Sequence, residues 1–334
     1  MCSLQKINSD IKMKRIFIGL VALWMLSSAI AKEPAPLSVL FVAGPDTHGW
    51  GAHDHNPSTG ALSESLKDAM GDAVQINVAW SRWPEDDELA KADVCVIYSD
   101  GWNRSVLKGD KRLKQIRNFL NAGKGVLRIH WATGSDPSEK EYHRSLFGGN
   151  MESDYSVHST LWNQKFSLGD HPITHGMKPF ELVDECYFHM RWADEEKSGV
   201  IDILSAKPGP KFKANSVTPK ARASLERDLP QTVAWVYTRP KGGRTFSYTG
   251  GHFHWDWAND NARKMILNAI VWAGGREVPK GGLVSKRPSA ERLISLMQER
   301  GNKTNPDWKA EDLQPLLNQL NQEGEKIDWR RPPF

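Results

Sequence analysis

The stretch LSVLFVAGPDTHGWGAHDH, residues 37–55, contains the pattern that decides the fold. Its first eight residues are a largely apolar run that ends at Gly44-Pro45, which predicts a buried β-strand. Polar residues follow, three of them His, and residues 58–70 then carry apolar side chains at helical spacing up to Gly71. A buried strand, a polar loop and a helix in this order indicate a strand–helix unit of an α/β fold.

The same alternation continues through the first half of the chain. Apolar runs at residues 73–80, 92–99 and 125–132 predict three further buried strands, and residues 110–121 predict a helix that Gly123 ends. Strands that are apolar throughout are covered on both faces, which is typical of parallel sheets in α/β proteins. Ligands of such sheets bind at the carboxyl ends of the strands, so we expect a functional site there.

The second half of the chain changes character. Its strand-like segments have mixed polarity, and residues 258–273 predict an amphipathic helix that ends at Gly274-Gly275. After Val278, a basic linker at residues 279–288 leads to two predicted helices, residues 289–300 and 309–321. This tail, within 279–334, either wraps around the domain or binds a partner. The strand-like segments are residues 157–168, 180–192, 200–206, 232–238 and 244–249.

The formal net charge of +4 belongs mostly to the N-terminus, because residues 1–31 contain four basic residues and one acidic residue. The remaining chain is nearly neutral, which argues against a nucleic-acid partner. Basic residues at 12–15, an apolar run at 16–26 and Ala29-Ile30-Ala31 predict a secretory signal peptide cleaved before Lys32. We therefore expect an exported protein, periplasmic or secreted, with no membrane span in the mature chain. An uncleaved anchor is the alternative.

Nucleophilic and phosphate-binding sites do not fit the residues at the predicted strand ends. The turn after the fourth strand holds His130 but no Ser or Cys nucleophile, and Gly148-Gly149 lacks the spacing of a phosphate loop. Cys95 and Cys186 lie in predicted strands. In an exported protein they could form a disulfide, or they are buried free thiols.

His and carboxylate residues follow four of the predicted strands. Neutral imidazole and carboxylate are typical ligands of Zn²⁺, and three protein ligands plus a water molecule form a catalytic zinc site. The four segments together indicate a divalent-metal site, although any single His among them also fits a structural role. The residues are His48, His53 and His55 in the first loop, His130, Asp184-Glu185, and His252 with His254. Weaker local context surrounds His143, His158, His171 and His175.

Five motifs in these segments resemble the ThuA-like (trehalose utilisation) family, whose fold is similar to the class I glutamine amidotransferase domain. The resemblance covers residues 37–278 and implies an α/β, flavodoxin-like parallel-sheet sandwich without the amidotransferase nucleophile. The additional β-strands and the C-terminal helical tail extend it. The resemblance also implies a role in carbohydrate catabolism, on 3-keto glycosides or disaccharides. The motifs are THGWGAHDH (47–55), IHWATG (129–134), HPITHG (171–176), DECYFHMR (184–191) and GGHFHWDW (250–257).

The resemblance further implies a ligand set for a metal. Carried onto this chain, the family's His-rich first loop, the His after its central strand, its acidic residue and its late Gly-His correspond to His53, His130, Glu185 and His252. The first loop departs from the shorter family pattern, because His48 and His55 compete with His53 for the first ligand position. A divalent metal, with Zn²⁺ as the expected ion, follows as the cofactor.

The leading hypothesis is a metal-dependent enzyme that acts on its carbohydrate by elimination, isomerisation or hydrolysis. Asp54 or His189 would act as general acid or base, and Arg191 would hold the sugar. Arg191 and Trp255 each also fit a structural role. Arg191 could pair with Glu185, and Trp255 could pack the last helix onto the sheet. The 14 Trp, together with His and Gly, suggest an aromatic carbohydrate cleft, and the candidate contact residues are Trp50, Trp131, Tyr187 and Trp255.

Two other classes of function stay open at this point. One is a carbohydrate-binding module without turnover. The other is a structural exported protein that uses its helical tail to bind partners. The sequence leaves the identity of the sugar, its linkage and the oligomeric state open.

Overall fold

The four strands predicted in the first half lie side by side in parallel. They are β1 (Leu37–Ala43), β2 (Val74–Ala79), β3 (Val94–Tyr98) and β4 (Gly125–Ile129). The computed structural model describes residues 35–158, 161–213, 217–301 and 308–322. Within these residues the order is β2-β1-β3-β4, with every neighbouring pair parallel.

The second half extends the same sheet to nine strands in the described part of the chain. Next to β4 follow β11 (Arg244–Tyr248), β10 (Gln231–Thr238), β9 (Val200–Ala206), β6 (Trp162–Leu168) and β7 (Phe180–Asp184). β11 is parallel to β4, and each later step is antiparallel. Four reversals make β7 run in the same direction as β11, so the carboxyl ends of β1, β3, β4, β11 and β7 all point the same way. A separate antiparallel pair joins β5 (Gly149–Asn150) to β8 (Arg191–Trp192).

Helices cover both faces of the sheet, which confirms the predicted α/β class. The side chains of Val39 and Phe41 enter one core with α1 (His55–Met70) and α6 (Asp260–Ala273), and α5 (Pro219–Glu226) adds to that core. The alternate residues Leu40 and Val42 enter the opposite core, because successive side chains of a strand point to opposite faces. That second core is completed by α2 (Asp86–Lys91), α3 (Asp110–Asn121) and α4 (Lys140–Phe147).

The C-terminal tail forms two helices that pack on the domain, α7 (Ala290–Arg300) and α8 (Ala310–Gln319). Buried Leu293 and Leu313 join the core that α1 covers. The side chain of Leu296 lies against Gly60, where a Cβ atom would come within 2.8 Å of it. The described part of the tail is therefore arranged as expected if it wraps around the domain.

Some elements differ from the sequence-based prediction. The predicted strand at residues 180–192 is divided, because the Asp184 carboxylate accepts the amide of Glu185 and the chain leaves the sheet there. β6 begins at Trp162 rather than at residue 157, and α1 begins at His55, three residues earlier than predicted. Helices α2, α4 and α5 were not predicted.

Two further expectations concern the cysteines and the membrane. Cys95 and Cys186 are buried free thiols on opposite faces of the sheet, so the disulfide alternative does not hold in this structure. Within the described residues, no helix has the length and hydrophobicity needed to span a bilayer. The predicted signal peptide, residues 1–31, lies outside the described residues.

Candidate metal centre

Four loops at the carboxyl ends of strands bring His and Glu side chains together. His53 comes from the loop between β1 and α1, and His130 from the turn after β4. Glu185 follows β7, and His252 lies in the loop after β11. One donor atom of each residue lies within 4.8 Å of the others. These are the four residues that the family resemblance implied as ligands.

The loops that carry His53 and His252 are joined through their backbones. The His53 amide donates to the His252 carbonyl at 2.9 Å, and the His254 amide donates to the Gly51 carbonyl at 2.8 Å. His53 and His130 both have positive φ angles, 48° and 56°. This left-handed backbone is strained for a non-glycine residue and persists only where the surroundings hold it. Here it places both imidazoles in the cluster.

The hydrogen bonds of His53 and His130 determine which nitrogen of each ring carries the proton. His53 Nδ1 lies 2.6 Å from Asp100 Oδ1, and His130 Nδ1 lies 2.9 Å from the Thr249 carbonyl oxygen. Both oxygens only accept, so each Nδ1 donates and each Nε2 of a neutral ring keeps its lone pair. The two Nε2 atoms are 3.1 Å apart. Two lone pairs at this distance repel each other unless a cation is shared between them.

Burial keeps both rings neutral. Burial, followed by the neighbouring His130 and His252, lowers the pKa of His53 far below its ordinary value. Burial and His252 also lower the pKa of His130 well below its ordinary value, although Glu185 acts in the opposite direction. A proton is therefore a poor bridge between the two Nε2 atoms. The donor set instead fits a cation such as Zn²⁺, which binds neutral imidazole and carboxylate.

Glu185 is the carboxylate of the cluster. Its Oε2 lies 2.9 Å from His252 Nδ1 and 3.9 Å from His130 Nε2, and its Oε1 lies 3.2 Å from His158 Nε2. Burial alone would raise the pKa of Glu185, but hydrogen bonds with His158 and His252 outweigh burial and lower it. Glu185 is therefore ionised at neutral pH, and its charge would partly balance that of a divalent cation.

A second carboxylate, Asp184, supports the ligand-bearing loops from behind. Asp184 is fully buried and accepts the backbone amides of Glu185, Gly251 and His252 at 2.7, 2.5 and 3.1 Å. One side chain thus anchors the loop after β7 and the loop after β11. Because both loops share this anchor, the positions of Glu185 and His252 are fixed relative to each other.

Aromatic side chains and His48 surround the open side of the cluster. The ring centroid of exposed His48 lies 3.7 Å from that of His53. The ring centroid of half-buried Trp131 lies 5.8 Å from the same His53 ring. Buried Tyr187 stacks on His130 at 5.0 Å and places its hydroxyl 3.2 Å from His130 Nε2. The Glu185 side chain is 15% exposed, so the cluster is in contact with solvent at this carboxylate.

Comparison with known proteins identifies the family. A family model described as trehalose utilisation (ThuA) matches residues 38–273. The chain belongs to the ThuA family. Membership links it to carbohydrate utilisation, and no curated protein sequence matches it.

Two solved structures of ThuA-like proteins are similar to this chain. The one from Bacteroides uniformis is 16% identical, with a TM-score of 0.51, and the match covers 74% of this chain and 94% of that one. The one from Parabacteroides merdae is 15% identical, with a TM-score of 0.48, and the match covers 75% and 98%. The Bacteroides uniformis likeness shows a shared fold.

The two predicted acid–base residues, Asp54 and His189, and the predicted sugar-holding residue, Arg191, are not among the four residues of the cluster in this ThuA chain. Asp54 lies at the start of α1, where its carboxylate accepts the Gly51 amide at 2.8 Å. His189 stacks on Tyr155 at 4.9 Å, and the Arg191 guanidinium lies 4.6 Å from the same ring. His189 and Arg191 thus gather around Tyr155. The ion-pair partners of Glu185 among the described residues are His ring nitrogens, so Arg191 does not pair with it.

The remaining first-loop and aromatic candidates also have definite places. His55 Nδ1 donates to the Pro45 carbonyl at 2.8 Å, and of the three first-loop histidines His53 belongs to the four-residue cluster. Trp255 is fully buried and stacks on Phe253 at 4.8 Å, which agrees with a packing role. Half-buried Trp50 contacts a tryptophan of the C-terminal tail rather than the four ligand candidates.

Two residues that shape the cluster were not predicted from the sequence, and a third, His158, was only among the histidines of weaker local context. Asp100 and Thr249 fix the rings of His53 and His130, and His158 holds the second oxygen of Glu185. Asp100 follows the end of β3, so the reasoning that selected His130 after β4 could also have selected it. Thr249 acts through its carbonyl oxygen, which no side-chain pattern reveals.

Proposed function

We propose that this ThuA protein is a metal-dependent enzyme of carbohydrate catabolism. The residues that would hold the divalent ion, with Zn²⁺ as the expected metal, are His53, His130, Glu185 and His252. The observation that carries the proposal is the 3.1 Å separation of two Nε2 atoms whose rings each have an oxygen acceptor at Nδ1. His252 Nδ1 lies 3.2 Å from one of them, and a cation satisfies all these donors together.

The chemistry divides between the ion and the chain's own residues. When bound, the ion would supply Lewis acidity, which polarises a sugar oxygen and makes the neighbouring protons more acidic. His158 is 47% exposed and lies beside Glu185, so its imidazole is placed to accept or return a proton at the mouth of the site. The Tyr187 hydroxyl, 3.2 Å from His130 Nε2, would orient a sugar oxygen by donating a hydrogen bond.

A 3-keto glycoside or disaccharide is the proposed substrate. The C–H next to a ketone is acidic enough for an imidazole such as His158 to remove its proton, which leads to elimination or isomerisation. Hydrolysis of the glycosidic bond is the third reaction considered. The half-buried rings of Trp102 and Trp131, 5.3 Å apart, offer apolar faces against which a sugar ring could pack. The nearly neutral charge beyond residue 31 fits an uncharged substrate.

Metal-dependent product formation tests this function. Chelator-treated protein is reloaded with Zn²⁺ and incubated with 3-keto and unmodified disaccharides, and products are identified by mass spectrometry. We expect product from the wild type and none from Glu185→Gln. His171→Gln is the matched control, because the His171 ring lies edge-on to Trp272 near the amino end of β4, at the other end of the sheet.

The same experiment separates the enzyme from the alternative function. A carbohydrate-binding module would bind sugar after chelation and yield no product from any of these sugars. That result would overturn the proposed enzyme.

We also propose that residues 1–31 direct export and are removed before Lys32. The support is the order of a basic segment, an apolar segment and Ala29-Ile30-Ala31 in the sequence. Cleavage there would place the mature enzyme in the periplasm or outside the cell.

A further inference from the structure

The C-terminal tail touches the loops of the candidate metal centre, although it lies beyond the residues that match the family model. Trp308 precedes α8, and its half-buried ring lies 4.4 Å from the ring of Trp50 in the β1–α1 loop. The same ring stacks nearly parallel on Trp255, at 6.2 Å and 13°. One tail residue therefore contacts both the loop of His53 and the loop of His252.

Trp255 transmits this contact to the backbone of the first loop. Gly51 has a φ angle of +85°, and a Cβ atom on it would lie 2.3 Å from the Trp255 ring. The indole thus packs directly on the Gly51 backbone, whose carbonyl accepts the His254 amide. Trp255 also stacks on Phe253, with ring centroids 4.8 Å apart and 14° between the ring planes. Phe253 in turn lies 4.6 Å from the ring of His252.

Helix α7 makes a second connection between the tail and these loops. His254 Nε2 donates to the Leu293 carbonyl of α7 at 3.0 Å. Its Nδ1 therefore accepts, and the Ser58 hydroxyl of α1 lies 3.2 Å away to donate. His254 is two residues from His252, so the tail and α1 together fix the segment that presents this ligand candidate.

We propose that the C-terminal tail is a positioning element of the metal centre, and that Trp308 is its principal positioning residue. The stack of Trp308 on Trp255 holds Gly51, two residues before His53, against the segment of His252. This inference rests on the proposed metal site and adds to it a part of the chain outside the family match. Replacement of residues outside the ligand shell that orient the ligands typically weakens metal binding by about 10- to 100-fold.

The test uses three full-length variants. Trp308→Ala removes the stack, and Trp308→Phe keeps an aromatic ring in its place. Trp83→Ala is the matched control, because Trp83 packs on the opposite core and donates to Gln115. The first readout is hydrogen–deuterium exchange of residues 48–54 and 251–256 in chelator-treated protein, with β3 as the internal reference. The second is Zn²⁺ affinity, measured by competition with a chromophoric chelator.

We expect Trp308→Ala to exchange faster in both loops, with β3 unchanged, and to bind Zn²⁺ about tenfold more weakly. Trp308→Phe and Trp83→Ala should stay close to the wild type in both readouts. Unchanged exchange in the two loops, or faster exchange with unchanged affinity, would overturn the inference. If the wild type itself binds no Zn²⁺, the proposed metal site is wrong. Faster loop exchange in Trp308→Ala would in that case still show that the tail holds the two loops, so failure of the metal site and failure of the tail's role give different results.

Discussion

His53 and His130 face each other through their Nε2 atoms at 3.1 Å, and each ring donates its Nδ1 proton to an oxygen on the far side. Two Nε2 lone pairs at this distance repel each other, and a cation bound between them would remove the repulsion. Glu185 adds a negative charge beside the same atoms. The geometry therefore makes definite predictions about metal binding, stability and pH.

Replacement of Asp100 should weaken metal binding without removing a ligand. In Asp100→Asn the partner of His53 Nδ1 loses its charge, so the ring becomes a poorer donor to the metal. We expect Zn²⁺ affinity to fall by about 10- to 100-fold, measured by competition with a chromophoric chelator. Asp87→Asn, at an exposed ion pair with Lys91, should leave the affinity unchanged. Equal affinity in the Asp100 variant and the wild type would show that this carboxylate does not support the site.

Addition of one methyl group at Gly51 should disturb the site more than the same change two residues earlier. Gly51→Ala places a Cβ atom 2.3 Å from the Trp255 ring at a positive φ angle, whereas a Cβ on Gly49 meets nothing within 4 Å. The left-handed backbone alone costs an L-residue roughly 1–2 kcal/mol. We expect chemical denaturation to report a loss of at least about 1 kcal/mol for Gly51→Ala and little change for Gly49→Ala. Equal stability of the two variants would contradict the described packing.

Stability of the metal-free protein should fall as the pH falls below about 6.5. Burial lowers the pKa of His53, His130 and His143 in the folded state, so these rings take up protons mainly on unfolding. The unfolded state then binds more protons, and each such ring removes about 1.4 kcal/mol of stability per pH unit below its unfolded pKa. Denaturation with a chelator present at about pH 7.5 and about pH 5.5 measures the effect. A stability that rises toward the lower pH would show that these rings are not buried and neutral.

Processing of the N-terminus gives a prediction independent of the metal. Protein recovered from the periplasm or medium should begin at Lys32, as determined by intact mass and N-terminal sequencing. Ala31→Glu should block cleavage, because the cleavage site requires small residues. Recovery of the full-length chain from the cytoplasm alone would exclude export.

Much of the fold could be predicted from the sequence because the decisive strands are apolar on both faces. The runs ending at Ala43, Tyr98 and Ile129 stand out without any knowledge of their neighbours. The division of the predicted strand at residues 180–192 could not be foreseen. Asp184, whose carboxylate accepts the Glu185 amide where the chain leaves the sheet, also accepts the amides of Gly251 and His252, which are distant in sequence.

The loops of the candidate site could be predicted from the sequence, but the residues that support the ligand candidates could not. Strand-end reasoning selected the four loops that meet in the structure, and the family resemblance selected His53 among three His in the first of them. Asp100 and Thr249 could not be ranked, because their importance depends on which ring nitrogen faces them. Trp308 has no local pattern that connects it with Trp255, since only the folded tail brings the two rings together.

Zn²⁺ titration of the chelator-treated wild-type protein tests the central claim most directly, with calorimetry and thermal unfolding on the same samples. We predict that one ion binds per chain, and that Zn²⁺ at about 100 times its Kd stabilises the fold by about 2.7 kcal/mol. His130→Ala should lose this binding, and His171→Gln should retain it. Absence of Zn²⁺ binding by the wild type, with an unchanged Tm, would contradict the account.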